Sequence, residues 1–347
     1  MKNEELFEKK EIKQKFDIKK GNKEDHKEEI RNIWNENKIE ELELLESIGH
    51  GAESKVYKAQ VSKNKKFVTI KMIIYKEGQK KNNNEIRISN KLRNKNIINI
   101  YGVKEIIKDK IDSIVMEYAK QGNLRNFQDK LLKKSYLSES LLCYLTYQIL
   151  CGLKYCHMNK VVHFDIKPQN IVIDDYLVAK IIDFSVALDY SKIKSKSIKL
   201  PYRGTCLYMA PEVIKNKTTN VKDLNKVDLF SLGMTLYHLA FGSFPFGITH
   251  DDIKDNDKIY GKIMKGKKIE INDDDYSKHF IDFLNQLLQK DINERIDINQ
   301  ALDNYWVKGA LILNNEKEKV YNASNFLSYL ITDHFKSFDD YLKKELY

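Results

Sequence analysis

The chain has 347 residues, of which 42% are hydrophobic and 32% charged, and its formal net charge is +10. This composition is ordinary for a folded globular chain and excludes a wholly disordered one, and no run of about 18 uncharged apolar residues predicts a membrane span. At roughly 100–200 residues per domain, the length predicts two or three structural units. The first ten residues are charged with both signs and have no apolar stretch, so we expect no secretory signal.

The positive charge arises beyond residue 40, because residues 1–40 hold 11 basic and 11 acidic side chains. A basic surface can attract nucleic acid, anionic membranes or acidic proteins. The excess is mostly lysine, with no nucleic-acid-binding motif or arginine-rich stripe, so we expect a solvated surface and no nucleic-acid partner. The chain has no C-x-x-C pair, and its four cysteines are Cys143, Cys151, Cys156 and Cys206. We expect free thiols in a reducing compartment, the cytoplasm, with the nucleus as the alternative.

Hydrophobic patterning divides the chain into regions of different character. Residues 1–40 alternate short blocks of charge and predict a tail that is disordered or partly helical. Runs of β type, separated by glycine or polar turns, predict antiparallel strands over 43–48, 55–61 and 66–72. We expect a helix over 82–93 and a further strand over 111–118.

Beyond Gly122 the pattern is mostly helical. Apolar residues at i, i+3 and i+4 predict helices over 137–157, 227–241, 280–289 and 298–305. The sequence therefore predicts an α+β chain, in which a small antiparallel β-rich unit precedes a larger, mainly helical one.

Residues 309–347 form a separate C-terminal extension. Its apolar residues at helical spacing are Val320, Leu327, Leu330, Ile331, Phe335, Phe338 and Leu342. We expect a helix that buries this face against the rest of the chain, and a helix that docks a partner protein is the alternative.

Two features of the β-rich region point to phosphate binding. Gly49 and Gly51 are two of the three glycines of a G-x-G-x-x-G loop, and β-type residues on both sides predict a hairpin whose backbone can approach phosphates closely. Lys71 ends the apolar run that follows. It is either a lysine whose stem lies along a sheet edge or a cation held over phosphates, and Glu85 on the next helix could fix its position.

A second cluster lies between apolar runs in the helical region. Asp165, Lys167 and Asn170 follow His163, and Asp183 comes thirteen residues after Asn170. Oxygen ligands from Asn170 and Asp183 suit a hard cation such as Mg²⁺, which takes few protein ligands together with phosphates and waters. Asp165 and Lys167 are two residues apart, so on an irregular loop both could reach one substrate hydroxyl.

These motifs, in this order, resemble the signature set of the eukaryotic-type protein kinases of the Ser/Thr class. The set continues with the A-P-E motif at residues 210–212, the segment Asp228–Gly233 and Arg295. The resemblance covers roughly residues 42–307 and implies a bilobal fold. It implies a charged tail at 1–40, a kinase domain at 41–308 and an extension at 309–347, with the smaller lobe at about 41–118 and the larger at about 119–308.

The resemblance implies a role for each matching residue. Lys71 would bind the ATP phosphates and pair with Glu85, Asp165 would orient the substrate hydroxyl and accept its proton, and Lys167 would neutralise the transferred phosphoryl group. Asn170 and Asp183 would hold Mg²⁺. The expected nucleotide-binding residues are Ile48, Gly49, Gly51, Ser54, Val56, Lys71, Met116, Glu117, Ala119 and Val172. Of these, Met116 would be the gatekeeper and Glu117 to Ala119 the hinge that binds adenine. His163 is expected to pack on Phe184.

Several positions depart from the family pattern. They are Ser54 for the third loop glycine, Thr69 for alanine, Ser89 for an apolar residue, Ser185 for the glycine of D-F-G and Phe164 for the arginine of H-R-D. None of these changes removes a group that the resemblance places on metal, phosphate or nucleophile. The prediction is therefore an active protein Ser/Thr kinase that uses ATP and Mg²⁺, and the alternative is a catalytically weak pseudokinase that acts as a nucleotide-binding scaffold.

Two expectations about substrate choice and control also follow from the resemblance. Relatives that select arginine before the phosphoacceptor carry acids where this chain has Gln169 and His238, so we expect no such selection. Phe164 cannot make the charge-assisted bonds that a phosphate on the activation segment needs. We therefore expect control by expression level, a partner or the C-terminal extension.

Overall fold

The computed structural model describes residues 42–51, 54–75, 84–107, 111–131, 137–266, 276–319, 326–328 and 330. The predicted tail at 1–40 and residues 331–347 of the extension lie outside the described residues. Two compact units are present, drawn from Met1–Gln79 with Gly102–Val115 and from Lys80–Tyr101 with Met116–Tyr347. We call them the β unit and the helical unit.

A five-stranded sheet, with strand order β1-β2-β3-β5-β4, forms the β unit. The strands are β1 Leu42–His50, β2 Ser54–Val61, β3 Phe67–Ile74, β4 Ile100–Ile107 and β5 Ile111–Glu117. The predicted runs form strands, and β2 pairs with both β1 and β3 in antiparallel register.

The alternation of side chains in β2 and β3 decides which face of the sheet is buried. Tyr57 lies opposite Ile70, and Ala59 opposite Val68, and all four are buried in the core of this unit. Paired residues in an antiparallel sheet point to the same face, whereas their chain neighbours point to the other. Val56 and Lys71, which also form a cross-strand pair, therefore share the face opposite this core.

Nine helices of the helical unit lie within the described residues. They are α1 Asn84–Lys91, α2 Leu124–Leu131, α3 Glu139–Met158, α4 Pro211–Ile214, α5 Lys226–Phe241, α6 Asn256–Lys265, α7 Lys278–Leu287, α8 Ile298–Asp303 and α9 Tyr305–Lys319. The two-stranded and three-stranded sheets of this unit are β6-β8-β9, β7-β10 and β11-β12. Their strands are β6 Gly122–Asn123, β7 Val161–Val162, β8 Ile171–Ile173, β9 Ala179–Ile181, β10 Leu188–Asp189, β11 Ser197–Lys199 and β12 Thr218–Asn220.

Helix α3 lies in the centre of this unit because it is apolar on nearly all sides, and 15 of its 20 residues are buried. At its first residue, the Glu139 carboxylate accepts hydrogen bonds from Ser277 at the start of α7 and from the Trp306 indole of α9, at 2.5–2.7 Å. One carboxylate therefore joins three helices that are distant in sequence.

The predicted helix over 298–305 is wrong at its C-terminal end, because the chain breaks at Asn304. Asn304 has an extended backbone, and its side-chain oxygen accepts a hydrogen bond from the Trp306 backbone N–H at 3.0 Å. This is the local bonding that starts a new helix. Asn304 therefore ends α8 and caps α9, which continues to Lys319.

The described part of the C-terminal extension packs on α3. Ala310, Leu313, Phe326 and Leu330 are buried in the same core as α3. The Phe326 ring meets the Tyr144 ring edge-on at 5.1 Å, and Ser138 donates a hydrogen bond to the Leu330 carbonyl at 2.7 Å. Of the predicted apolar face, Leu330 is buried and Leu327 is partly buried against this core. Its other members lie outside the described residues, so the burial of the whole face and its alternative, the docking of a partner protein, both stay predictions.

The four cysteines are free thiols, as predicted. Burial raises the pKa of the Cys143 and Cys156 thiols well above the usual value. Among the helices of the described residues, none has the length and apolar character that spanning a bilayer would require.

Replacement of Phe326 by alanine tests the packing of the extension. Phe326 is fully buried, so Phe326→Ala should lower the free energy of unfolding by about 3–5 kcal/mol through lost burial and a residual cavity. Leu311→Ala is the matched control, because Leu311 is 46% exposed. Urea unfolding followed by tryptophan fluorescence measures both variants, and equal effects would contradict the packing described here.

Candidate active site

The loop between β7 and β8 brings two predicted catalytic residues, Asp165 and Lys167, into contact with each other and with Thr205. The Asp165 carboxylate lies 2.7 Å from the Lys167 ammonium, and its other oxygen accepts the Thr205 backbone N–H at 2.9 Å. Lys167 also donates to the Thr205 hydroxyl at 2.7 Å. Asp165 is 8% exposed. A carboxylate and an ammonium are thus held together by contacts with Thr205.

Asp228, at the start of α5, holds the backbone of this loop. Its two carboxylate oxygens accept the backbone N–H groups of His163 and Phe164, at 2.9 and 2.8 Å, and the His157 ring N–H at 2.9 Å. Asp228 has no exposed surface. A carboxylate can be buried in this way because its hydrogen bonds replace the hydration that it loses.

The His163 ring is a structural element of the same loop. Its Nε2 lies 2.9 Å from the Ile182 carbonyl, so Nε2 carries the proton, and Nδ1 accepts the Asp165 backbone N–H at 3.2 Å. The ring meets the Phe184 ring edge-on at 4.9 Å, which confirms the predicted packing. His163 thus joins Asp165 to Ile182, which follows β9 and directly precedes Asp183.

A backbone hydrogen bond connects Asn170 to the residue that precedes Asp183. The Asn170 amide nitrogen donates to the backbone and side-chain oxygens of Asp165, at 2.8 and 2.9 Å. The Asn170 Oδ1 is therefore the atom of this amide that could act as a ligand of a cation. The Ile182 backbone N–H donates to the Asn170 carbonyl at 3.0 Å, so Asp183 follows directly beside Asn170. A carboxylate next to an amide oxygen fits Mg²⁺, which favours hard oxygen ligands.

The segment after Arg203 reaches the catalytic loop because Gly204 has no side chain. Gly204 has a φ of +105°, and a Cβ there would lie 2.2 Å from the Phe164 carbonyl oxygen. Further along, the Arg295 guanidinium binds both oxygens of Glu212 at 2.7 and 3.0 Å. Both charges are buried, so each satisfies the other, and the pair fixes the end of this segment.

Phe164 sits in the place that the resemblance gives to an arginine. It is 4% exposed and has a left-handed backbone with a φ of +66°. The Arg203 guanidinium carbon lies 6.0 Å from the ring centre, and this guanidinium donates to the carbonyls of Val186 and Ala187. The ring is thus part of the apolar packing.

The nucleotide-binding residues predicted in the β unit align across β1, β2 and β3. Gly49 pairs with Val56, and Val56 pairs with Lys71, so the three lie in one cross-strand row. Ile48 has no partner in β2, because a bulge falls between Ser47 and Gly49, and it is 39% exposed. Next to this row, the Gly51 backbone N–H donates to the Ser54 carbonyl at 2.8 Å and closes the turn.

The remaining predicted residues lie in the helical unit. Met116 and Ala119 are buried. The Glu117 backbone N–H bonds the Asn99 carbonyl at 2.9 Å, and its carboxylate lies 3.0 Å from the Lys180 ammonium. Val172 is the middle residue of β8, and Glu85 is buried on α1. The structure thus assembles the predicted site residues as two groups, each within its own unit.

Asp228 and Arg295 have structural roles that reasoning from single motifs did not assign. Both lie in segments that supported the resemblance, but the motifs alone did not show which groups these two side chains bind. Asn84 and Asp189 were not identified at all. Their contacts join segments about a hundred residues apart, and no local pattern marks them.

Comparisons with known proteins agree with this geometry. A family described as "Protein kinase domain" matches residues 42–307. A probable serine/threonine-protein kinase of Dictyostelium discoideum is 34% identical over 277 residues, which cover 76% of this chain and 51% of that protein. Calcium-dependent protein kinase 6 of Plasmodium berghei (strain Anka) is 33% identical over 272 residues, which cover 77% of this chain and 17% of that protein.

A human relative extends the comparison. NUAK family SNF1-like kinase 1 of Homo sapiens is 32% identical over 270 residues, which cover 76% of this chain and 38% of that protein. The chain therefore spans from about a sixth to about half the length of these three relatives. The similarity concerns one region that they share.

Replacement of Phe164 by arginine tests whether the apolar surroundings of this side chain exclude a charge. Phe164→Arg would bury a cation beside Arg203, so the free energy of unfolding should fall by about 3 kcal/mol. Phe164→Leu keeps an apolar side chain and should lose less, about 1 kcal/mol. Urea unfolding measures both, and an arginine variant as stable as the leucine variant would show that the site accepts a charge.

Proposed function

The chain belongs to the protein kinase family, and from this premise we propose that it transfers the γ-phosphoryl group of ATP, with Mg²⁺, to Ser and Thr hydroxyls of proteins. The observation that carries the proposal is the contact of Asp165, Lys167 and Thr205 around one reaction centre. The chain would be a kinase of the kind that has Phe164 in place of the catalytic-loop arginine and D-F-S in place of D-F-G. We propose the boundaries 41–308 for its kinase domain and the cytoplasm as its location.

In this mechanism Asp165 orients the substrate hydroxyl and accepts its proton as the oxygen attacks phosphorus. Its orientation is already fixed by the Thr205 N–H and the Asn170 amide, so little reorganisation is needed at the moment of transfer. Lys167, whose ammonium is 2.7 Å from the Asp165 carboxylate, would neutralise the negative charge that develops on the transferred group.

The residues proposed to hold the nucleotide are those that the resemblance implies. Lys71, paired with Glu85, would bind its phosphates, and Gly49, Gly51 and Ser54 would form the loop over them. Ile48, Val56 and Val172 would enclose adenine, next to the gatekeeper Met116 and the hinge residues Glu117 and Ala119. Asn170 and Asp183 would hold Mg²⁺, which when bound neutralises charge on the phosphates.

Asp165→Asn tests the proposed base. The side chain keeps its size but cannot accept the proton, so turnover should fall by about 10²–10⁴-fold while ATP binding changes little. Transfer of ³²P from ATP to generic protein substrates in Mg²⁺ measures turnover, with Asp183→Ala as the blank. Asp175→Asn, an exposed aspartate ten residues away, is the matched control. Turnover in Asp165→Asn equal to that of wild type would refute the assignment, and a wild type no more active than the blank would favour the pseudokinase alternative.

The charge at His238 bears on which residues the protein accepts before the phosphoacceptor. Arg125 donates to the His238 Nε2 at 3.0 Å, and burial, followed by the Arg125 charge, lowers the pKa of His238 below its usual value. His238 is therefore neutral at physiological pH and lies beside a cation, while Gln169 is uncharged.

An arrayed peptide library should accordingly show no selection for arginine two residues before the phosphoacceptor. Arg125→Ala is the informative comparison, because removal of this cation should make arginine at that position less unfavourable. Strong arginine selection by the wild type would mean that other acids supply the missing charge and would contradict the prediction.

A further inference from the structure

The carboxylate of Asp189 is the centre of an ion cluster that the proposed mechanism does not use. Arg87 and Lys91, one turn apart on α1, lie 2.9 and 3.3 Å from its two oxygens, and the Ser191 backbone N–H donates to it at 3.0 Å. The Asp189 side chain is 8% exposed, although Arg87 is 55% exposed. We call Asp189, Arg87 and Lys91 the α1 clasp.

The degree of burial decides whether such a cluster matters. An exposed pair of two flexible side chains contributes little. Here the carboxylate is largely buried and accepts hydrogen bonds from three donors, two of which are charged. Charge-assisted hydrogen bonds of this kind are stronger and fix the geometry of the pair. Partial burial alone would raise the pKa of Asp189, but the hydrogen bonds from Ser191, Arg87 and Lys91 outweigh it and lower the pKa.

A second contact holds the other end of α1 to the same segment. The Asn84 amide nitrogen lies 2.8–3.3 Å from the carbonyls of Phe184, Ser185 and Ala187, and Arg87 donates to the Asn84 amide oxygen at 3.0 Å. Helix α1 is therefore fastened to residues 184–189 at its first turn and again at the clasp. Glu85 lies between these two points of attachment.

The segment that receives α1 is itself tied to the catalytic loop. Asp189 pairs with Val161 and Leu188 with Val162 in the β10–β7 ribbon, and His163 follows Val162 directly. Arg203 donates to the carbonyls of Val186 and Ala187 from the other side. A continuous series of bonds thus connects α1, through Asp189, to the loop that carries Asp165.

We propose that Asp189 is a positioning residue for phosphoryl transfer, which holds α1 and its Glu85 beside the catalytic loop without a phosphate on the activation segment. The proposal rests on the proposed function, because Glu85 matters for the reaction only if it fixes Lys71. The carboxylate is permanent, so the clasp forms when the chain folds.

The test uses the full chain after phosphatase treatment. Asp189→Asn keeps the size of the side chain and removes its charge, and kcat should fall at least about fivefold. The KM for a generic protein substrate should stay within about twofold, because Asp189 is assigned no contact with substrate. Asp189→Glu should retain most of the activity. Amide hydrogen exchange of residues 84–91 should become faster in Asp189→Asn than in the wild type.

A double-mutant cycle separates this role from general stability. If Asp189 acts through the clasp, Asp189→Asn combined with Arg87→Met and Lys91→Met should be no worse than Asp189→Asn alone. Asp303→Asn is the control, because it removes a carboxylate that lies 2.6 Å from Lys308 on the exposed surface of the same unit. This control should leave kcat and the exchange of residues 84–91 unchanged.

Several outcomes would overturn the proposal. They are a kcat for Asp189→Asn within twofold of wild type, unchanged exchange in residues 84–91, additive losses in the cycle, or loss of wild-type activity on phosphatase treatment. If the wild type transfers no more phosphate than Asp183→Ala, the proposed function fails, whereas the exchange measurement still decides whether Asp189 holds α1.

Discussion

The buried carboxylate of Asp228 is the interaction on which the catalytic loop depends. Phe164 adopts a left-handed backbone, which costs about 1–2 kcal/mol in an L-residue. The two backbone N–H groups that this turn points inward are those of His163 and Phe164, and both end on Asp228. Without that acceptor the turn would combine strain with two buried, unsatisfied donors, and Asp165 would have no fixed place.

The same principle extends outward from the loop in successive layers. The Phe164 carbonyl faces Gly204, and Gly204 precedes Thr205, whose N–H and hydroxyl bind Asp165 and Lys167. The far end of that segment is held by the buried pair of Glu212 and Arg295. Two buried side chains distant in sequence therefore hold the ends of this arrangement: Asp228 on α5 holds the catalytic loop, and Arg295, between α7 and α8, holds the segment at Glu212.

Periodicity predicted the elements that depend on local order, and it failed where a single side chain redirects the chain. Strands β1, β2, β3 and β5 and helices α3, α5 and α7 follow from apolar spacing, because burial of one face suffices to define them, whereas β4 was not predicted. The break at Asn304 depends on one side-chain bond to Trp306, which no periodic pattern shows. The short strands β6 to β8 and β10 to β12 were also missed, because two or three residues carry too little pattern.

The candidate site shows the same division. Asp165, Lys167, Asn170 and Asp183 were identified because their spacing is fixed within one loop and the strand beside it. Asp189 was missed because its meaning lies in Arg87 and Lys91, about a hundred residues earlier. Asp228 was found only as part of a motif, since two of its three donors are backbone N–H groups, which any residue type could supply.

The departure from the family pattern at Phe164 is consistent with the contacts around it. A phenylalanine at position 164 removes a cation from the loop, and Arg203 beside it is bound to the carbonyls of Val186 and Ala187. A phosphate on the segment would therefore meet no fixed guanidinium at this point. The described residues instead place the fixed anion on Asp189 and the cations on α1. Such an arrangement is set by folding, because a carboxylate is ionised throughout the physiological pH range and needs no modification to carry its charge.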